Sequence, residues 1–472
     1  MSDYKKTIGI EIHCELKTKT KIYSDSINGY GRTANSNVTV VDLGYPGTLP
    51  TLNDGVIKTA LKAAIILHCD INKLMHFDRK NYFYPDLPKG YQITQAETPI
   101  GVNGYVDIDV NNETKRIRIH DIHIEEDTCK SIHYKQHSFL DFNRAGVPLV
   151  EIVTEPDMNS EEEAMAYIEK LRELFLYADI SDCKIEEGSM RCDVNISISK
   201  TDELGTRAEI KNIGSISNVG KAITAEAKRQ EELLESGKEV EFATYRYDEK
   251  NDKTIVMRIK EAGNDYRYFP EPDIPFVEIT DGMIEDVKNN IPMLADERKK
   301  KYISFGISEL NASKIIQNRE ISDYLNQFLD KDINFVIASN LLLGDISAYL
   351  NKSEKRIADT ELSVEKFIDV VNKLDNGDIN SKVFKEILND LMEKDTNVDE
   401  ILKNSGIKII NDPSELLEII NNVLKNNENS VNDYKNGNER AIKYLMGQIM
   451  KETKGSANPE MVNKLLITEL KK

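Results

Sequence analysis

Thr7-Ile-Gly-Ile-Glu-Ile-His-Cys-Glu-Leu16 is the stretch whose reading decides the fold. Ile8, Ile10, Ile12, Cys14 and Leu16 fall on one side of a period-two pattern, and Gly9, Glu11, His13 and Glu15 on the other. Strict alternation with β-branched residues on the apolar side predicts a half-buried strand rather than a helix. Its polar face carries carboxylate, imidazole and carboxylate about 7 Å apart, the spacing of next-nearest residues on a strand. Oxygen ligands suit Mg²⁺ and an imidazole can replace one of its waters, so the face is a candidate cation site. A solvated strand face would read the same on this window alone, and the rest of the chain has to decide.

Working outward, three further stretches repeat the pattern. Asp121, His123 and Glu125 alternate with Ile122 and Ile124, after Ile117 and Ile119 in the opposite phase; the slip predicts a β-bulge. Glu151 stands alone in the apolar run Val147–Val153, where a carboxylate is costly unless paired or bound to metal. Arg191, Asp193, Asn195 and Ser197 oppose Cys192, Val194, Ile196 and Ile198. After a predicted hairpin turn at 201–205, Arg207, Glu209 and Lys211 oppose Ala208 and Ile210. One such strand means little, since antiparallel sheets often wet one face. Several mixing both charges point to a shared polar cleft, with acids for metal and Arg/Lys for a phosphorylated substrate. Between the strands, 77–92 interleaves Arg79, Lys80 and Lys89 with aromatics in a Pro/Gly-punctuated loop. That composition suits phosphate gripping and base stacking, or equally a turn pinned by aromatics. Helical spacing marks 54–67.

Composition limits the alternatives. The 472 residues are 40% hydrophobic and 30% charged, enough for roughly three domains of ordinary globular character. No apolar run approaches membrane-spanning length, and Met1–Lys6 has no signal-like apolar core. Five cysteines without a Cys-x-x-Cys argue for a reducing cytoplasm. The net charge of −19 opposes generic nucleic-acid binding. Residues 406–472, however, hold ten Lys+Arg against nine Asp+Glu, +1, leaving −20 on residues 1–405. All seven histidines precede residue 138, so any imidazole chemistry belongs to the first third. No phosphate-binding loop, kinase-type glycine loop or Gly-x-Ser-x-Gly elbow occurs. Cys14 and His13 point to opposite strand faces, which argues against a Cys–His nucleophile pair.

Eight runs together resemble the B subunit of the bacterial tRNA-dependent amidotransferases: Gly9-Ile-Glu-Ile-His13, Pro46-Gly-Thr-Leu-Pro-Thr-Leu-Asn53, residues 77–92, Ile124-Glu-Glu-Asp127, Asn143-Arg-Ala-Gly-Val-Pro148, Glu186-Glu-Gly-Ser-Met-Arg-Cys-Asp-Val-Asn195, Ala208-Glu-Ile-Lys-Asn212 and Asp265-Tyr-Arg-Tyr-Phe-Pro-Glu-Pro-Asp273. Lys454-Gly-Ser-Ala-Asn-Pro459 extends the likeness into the tail. The resemblance implies a carbon–nitrogen ligase that binds ATP and Mg²⁺ in a cradle-shaped domain. It phosphorylates the side-chain carboxylate of Glu-tRNA(Gln) or Asp-tRNA(Asn), and ammonia then displaces phosphate. A separate amidase-type A subunit makes the ammonia from glutamine, and with a small C subunit the three form a heterotrimer.

By position, the resemblance assigns Glu11, His13, Glu125 or Glu126, and Glu151 to the metal site. Arg191, Asp193, Glu209 and Lys211 line the same cleft, and Arg79, Lys80 and Lys89 are expected near the nucleotide and acceptor end. Glu125 and Glu126 cannot both face one cleft on a regular strand, and sequence leaves open which does. Some relatives carry a four-cysteine zinc knuckle where this chain has Ser24, Ser26, Thr39 and Asp42, so no zinc is expected.

The expected fold class is α+β: a strand-rich catalytic domain over 1–293, a helical domain over 294–405, and a small helical tail over 406–472. The tail's Lys435, Arg440, Lys443, Lys451 and Lys454 are expected to contact tRNA. Asp412-Pro-Ser-Glu415 and Asn458-Pro459 carry helix-start chemistry. A metal-dependent phosphohydrolase and a non-catalytic tRNA scaffold are the competing readings, and dependence of ATP turnover on mischarged tRNA separates all three.

Overall fold

The computed structural model describes residues 3–259, 266–406, 410, 412–438, 440–453 and 457–471. Its backbone contacts divide the chain into two units, Met1–Leu294 and Ala295–Lys472, each described by itself. The fold class is α+β.

In the first unit, chain order runs β1 (Lys5–Glu15), α1 (Asp54–Ile66), β2 (Asp70–Ile71), β3 (Leu74–Met75), β4 (Asp78–Asn81), β5 (Tyr91–Thr94), β6 (Gly101–Val110) and β7 (Glu113–Glu126). It continues with β8 (Lys130–Tyr134), β9 (His137–Asp141), β10 (Pro148–Thr154), α2 (Glu161–Tyr177), β11 (Met190–Ser199), β12 (Ala208–Lys211) and α3 (Ile216–Glu235). Last come β13 (Ala243–Asp248), β14 (Lys253–Ile259), β15 (Phe269–Pro270), β16 (Val277–Glu278) and α4 (Asp281–Asn289).

The organising element is a nine-stranded sheet in the order β14-β13-β12-β11-β1-β10-β7-β6-β2, with β1 at its centre. Alternation along β1 does what its pattern requires. Ile8, Ile10, Ile12 and Cys14 are sealed into the main core with Ala60 and Leu61 of α1, Ile168 and Leu171 of α2, and Val219 and Ile223 of α3. The helices thus cover one face and leave the polar face of β1 to the other side. Each helix begins where a short polar side chain caps it: Asn53 accepts from the Gly55 amide, Ser160 from Glu163 and Ser215 from Asn218. Cys14 lies on the core face with its Sγ 3.7 Å from that of Cys183, and all five cysteines are free thiols.

The bulge lies where the phase slips. Val153 of β10 pairs with Asp121 and Thr154 with Ile119, so His120 is the extra residue of β7. It lets Ile117 and Ile119, then Ile122 and Ile124, all reach the core. The β11–β12 connection is longer than the tight turn expected, since Ile196 pairs with Ala208. A second, three-stranded sheet of β15, β4 and β5 is tied to the end of β7, because Ile93 donates to a Glu126 carboxylate oxygen and the Gln92 amide to the Glu126 carbonyl.

In the loop 24–50, Ser24, Ser26, Thr39 and Asp42 converge. Ser24 and Ser26 hydroxyls donate to Asp42 at 2.7 and 2.6 Å, and the Thr39 amide donates to the same carboxylate. The wholly buried Lys21 ammonium lies 3.3 Å from Asp42.

The second unit is helical among its described residues. Tyr324, Phe328 and Phe367 meet at tilted and edge-on angles in one part of its core. The last four helices, Pro413–Asn426, Glu428–Lys435, Arg440–Glu452 and Pro459–Leu470, enclose a hydrophobic cluster of their own that includes Leu416, Ile420 and Val423. Asp412 and Asn458 cap two of these helices through their carboxylate and amide oxygens. The Asn380 amide donates to the Ala457 carbonyl and the Asn458 amide to the Gly377 carbonyl. These bonds link the four-helix segment to the helices before it.

Candidate active site

Strand register assembles the polar face in rungs. Arg191, His13, Glu151 and His123 lie side by side across β11, β1, β10 and β7. Asp193, Glu11, Val153 and Asp121 form the next rung, and Asn195 and Gly9 the one after, with Glu209 of β12 opposite Asn195. Side chains directly opposite each other stand about 5 Å apart, so residues distant in sequence meet here without any loop positioning them.

Two acid groups result. In the first, ligand atoms of His13, Glu125 and Glu151 lie within 4.8 Å of one another; in the second, those of Glu11, Asp193 and Glu209 do. The expected set of Glu11, His13, Glu125 and Glu151 is therefore divided: Glu11 stands with Asp193 and Glu209, one rung away from His13.

In the first group, His13 Nε2 is 3.3 Å from Glu151 and 3.6 Å from Glu125. His123 Nε2 reaches the same Glu151 oxygen at 3.1 Å, while its Nδ1 is held at 2.8 Å by Asp121. Burial alone would raise the Glu151 carboxyl, but the two imidazoles outweigh it and hold it well below the usual range. Burial would lower His13, but Glu151 and then Glu125 raise it to about 9. His123 is raised well above its ordinary value against burial by Glu151 and Asp121. In the second group Asn195 donates to Glu11 at 2.9 Å and Thr244 to Glu209 at 2.8 Å. Lys211 contacts Asp193 and lies 3.2 Å from Glu209. Burial and then Glu151 push Glu11 upward, while Asp193 and Glu209 raise Lys211 despite its burial.

A cavity of about 290 Å³ opens beside both groups, lined by His13, Glu125, Asp127, Arg191, Asp193 and Lys211 among others. At its edge Arg191 and Arg144 approach the Asp127 carboxylate at 3.1 and 3.5 Å. Glu15, on the polar face of β1, is raised to about 7, chiefly by burial and then by Asp127. The site is thus a strip of carboxylates and imidazoles, with Lys211 and Arg191 interleaved. The donor set of carboxylates with one imidazole suits a hard divalent cation, and the cations beside it suit phosphates.

Other expected site residues fall elsewhere. Glu126 is buried on the opposite side from Glu125, as period two requires, and forms an ion pair with Lys89. Neither is therefore directed into the acid strip. Arg79 is held by Glu271 through two bonds of 2.6 and 2.8 Å, has Asp273 at 3.2 Å, and stacks over Tyr91. Its guanidinium fastens β4 to the segment after β15 rather than standing ready for a phosphate. Lys80 alone of the three has no carboxylate within ion-pair distance among the described residues; it lies 5.2 Å over the Tyr266 ring, and after the opposing effect of burial Glu125 raises it. Lys435, Arg440, Lys443 and Lys451 are exposed, while Lys454 and Asp265 lie outside the described residues. Sequence reasoning had missed Asp127, Arg144 and Thr244 as members of this network. Asp127 follows the end of β7, where alternation no longer says which way a side chain points. No helix among the described residues is long and apolar enough to cross a membrane.

Two family profiles match the chain: the GatB/GatE catalytic domain over residues 6–285, and the GatB domain over residues 323–470. The B subunit of the aspartyl/glutamyl-tRNA(Asn/Gln) amidotransferase of Lysinibacillus sphaericus is 48% identical over 473 aligned residues, covering 100% of both chains. The B subunits of the same enzyme from Bacillus licheniformis and Ligilactobacillus salivarius are 47% and 46% identical, over 100% and 99% of each chain.

Proposed function

The chain belongs to the GatB family, as a subunit of a tRNA-dependent amidotransferase, and on that premise we propose that it activates the side-chain carboxylate of Glu-tRNA(Gln) or Asp-tRNA(Asn) with ATP and Mg²⁺, then amidates it. The observation that carries this reading is the pair of acid groups on one sheet face with Lys211 and Arg191 between and beside them.

The chemistry asks for little covalent work from the protein. A side-chain carboxylate oxygen attacks the γ-phosphorus, the bond to the β-phosphate bridging oxygen breaks, and ADP leaves. Ammonia then attacks the acyl carbon, phosphate departs, and the surplus proton passes to a nearby base. Such transfers depend on charge neutralisation and in-line positioning. His13, Glu125 and Glu151 would hold one cation, and Glu11, Asp193 and Glu209 would hold a second. Mg²⁺ held there would supply charge neutralisation to the phosphates. Lys211 and Arg191 face the same cavity and supply fixed positive charge to phosphate oxygens, and Lys80 adds an ammonium beside Glu125. No residue of the strip is arranged as a glutaminase nucleophile, which fits ammonia supply by an amidase-type A subunit, with a small C subunit the third member of a cytoplasmic complex.

Purified complex should hydrolyse ATP at an appreciable rate only when mischarged tRNA is added. Turnover equal with and without tRNA would mean a phosphohydrolase. No turnover under any condition, with tRNA binding intact, would mean a scaffold. Comparing Glu-tRNA(Gln) with Asp-tRNA(Asn) in the same assay identifies the acceptor.

A further inference from the structure

Asp127 follows the end of β7, in the wall of the cavity beside the acid strip. Its backbone is fixed from the turn before β10: the Asp127 amide donates to the Val147 carbonyl, and its carbonyl accepts from the Gly146 amide. The Thr128 amide donates to Oδ1 at 2.9 Å and holds the side chain as well. Arg144 stands 3.5 Å away but gives its own Nε and Nη2 to the Thr128 and Cys129 carbonyls. The cation that this buried carboxylate holds is Arg191, and the manner of the contact differs from other arginine pairs of the chain.

Arg79, Arg116, Arg118 and Arg229 each grip a carboxylate with Nε and Nη2 together, at 2.6 to 2.9 Å. That two-pronged geometry uses the edge of the guanidinium that best matches a carboxylate or a phosphate. Arg191 is held otherwise. Its Nη1 alone reaches Asp127, 3.2 Å from Oδ1 and 3.1 Å from Oδ2. Nε and Nη2 have no hydrogen bond or ion pair among the described residues, and the side chain is 32% exposed in the cavity wall. An arginine gripped by one end, with its fork unused beside a cavity, is prepared for an anion that brings two oxygens.

Asp127 also decides where that charge does not go. Arg191 stands opposite His13 across β11 and β1. Burial works against its charge and Asp127 outweighs burial; Glu15 and Glu125 are the next carboxylates to act on it. A buried guanidinium deprived of its partner is costly, so loss of Asp127 turns it towards one of these two. Glu125 belongs to the group with His13 and Glu151. A guanidinium bonded to Glu125 takes the oxygens that a divalent cation needs there.

We propose that Asp127 is a positioning residue: it holds Arg191 by one end, keeping the guanidinium off Glu125 and its fork free for the anionic group of the substrate. The proposal rests on the phosphoryl-transfer reading, in which that anion is a phosphate. Asp127 acts only through Arg191.

The test is a double-mutant cycle on the full chain with its partner subunits, using Asp127→Asn, Arg191→Gln and the two combined. Mn²⁺ affinity is read by electron paramagnetic resonance, and inorganic triphosphate affinity at saturating Mg²⁺. Asp127→Asn keeps the size and an acceptor for the Thr128 amide, but loses the charge that holds Arg191. It should weaken Mn²⁺ about tenfold or more, as removal of a supporting residue of a metal site does. Arg191→Gln should bind Mn²⁺ at least as tightly as wild type. Added to Asp127→Asn, it should restore affinity to within about threefold, a coupling that the cycle isolates. Lost packing is not repaired by deleting a second side chain, so the rescue separates positioning from mere support. Triphosphate should weaken in all three variants, because the fork is misdirected in one and absent from the others. Asp127→Asn with Mn²⁺ and triphosphate affinities like wild type, or with a Mn²⁺ loss that Arg191→Gln does not repair, would show the proposal to be wrong. The expected cycle together with ATP turnover indifferent to mischarged tRNA would instead overturn the phosphoryl-transfer reading alone. Absence of Mn²⁺ binding in wild type would overturn both.

Discussion

Glu125 and Glu126 are neighbours in sequence and are turned to opposite sides of β7. Glu125 joins His13 and Glu151, whereas Glu126 is closed off by Lys89. Sequence showed that only one could face the strip, but which one depended on where His120 bulges, a tertiary matter. Glu125→Gln should therefore weaken binding of Mn²⁺, used as a spectroscopic stand-in for Mg²⁺, while Glu126→Gln leaves it within about threefold. Glu151→Gln should cost about tenfold or more, since the residue is held between two imidazoles whose orientation depends on it. Equal effects of Glu125→Gln and Glu126→Gln would contradict the geometry. His13 carries a pH prediction. Its ordinary value of 6.5 is raised to about 9 in the folded chain, so the native state binds the proton more tightly than the unfolded state does. That stabilisation is complete below pH about 6.5 and is lost as pH rises towards 9. Denaturation midpoints in chelator should fall across this interval, and His13→Gln should flatten the fall.

Elements differ in how much of them could be read from sequence. β1, the helix from Asp54 and the phase slip in β7 were legible because each is set by period alone. The short strands β4, β5 and β15 were not, because they are held by long-range pairing rather than by an internal pattern. Arg79 shows the consequence: its setting among aromatics suggested a phosphate grip, yet its partners Glu271 and Asp273 lie almost two hundred positions away in sequence. The Glu271 side chain is fully buried and that of Arg79 is 19% exposed, so the pair fastens β4 to the segment after β15. Removing one member of a buried pair leaves an uncompensated charge. Glu271→Ala should destabilise the protein by about 3 kcal/mol in denaturant unfolding, with the larger loss confined to the small sheet. A change below about 1 kcal/mol would place the pair among ordinary surface bridges.

At the scale of the whole molecule, the charge distribution sets the problem. Residues 1–405 carry −20 and repel a polyanion at long range, whereas residues 406–472 are close to neutral. The sequence made this asymmetry plain, but it could not show which cations are free. Lys435, Arg440, Lys443 and Lys451 are exposed and have no ion pair among the described residues. The simplest test, deleting 406–472, is poorly posed, because Ala295–Lys472 is one unit and the bonds from Asn380 and Asn458 cross the cut. Truncation would damage the helices that remain. Replacing the four exposed cations by Gln keeps the hydrophobic cluster of Leu416, Ile420, Leu445 and Ile449 intact and removes only charge. If these side chains meet phosphates, the slope of log binding constant against log salt should become shallower by about one for each phosphate no longer neutralised. The KM for tRNA should rise, while amidation with free ammonium at saturating tRNA should persist, since every acid of the strip lies before residue 212. An unchanged salt slope would mean that these lysines are merely solvated and that the tRNA is gripped elsewhere. An intact slope with a lost maximal rate would mean that the tail acts on the chemistry rather than on the grip.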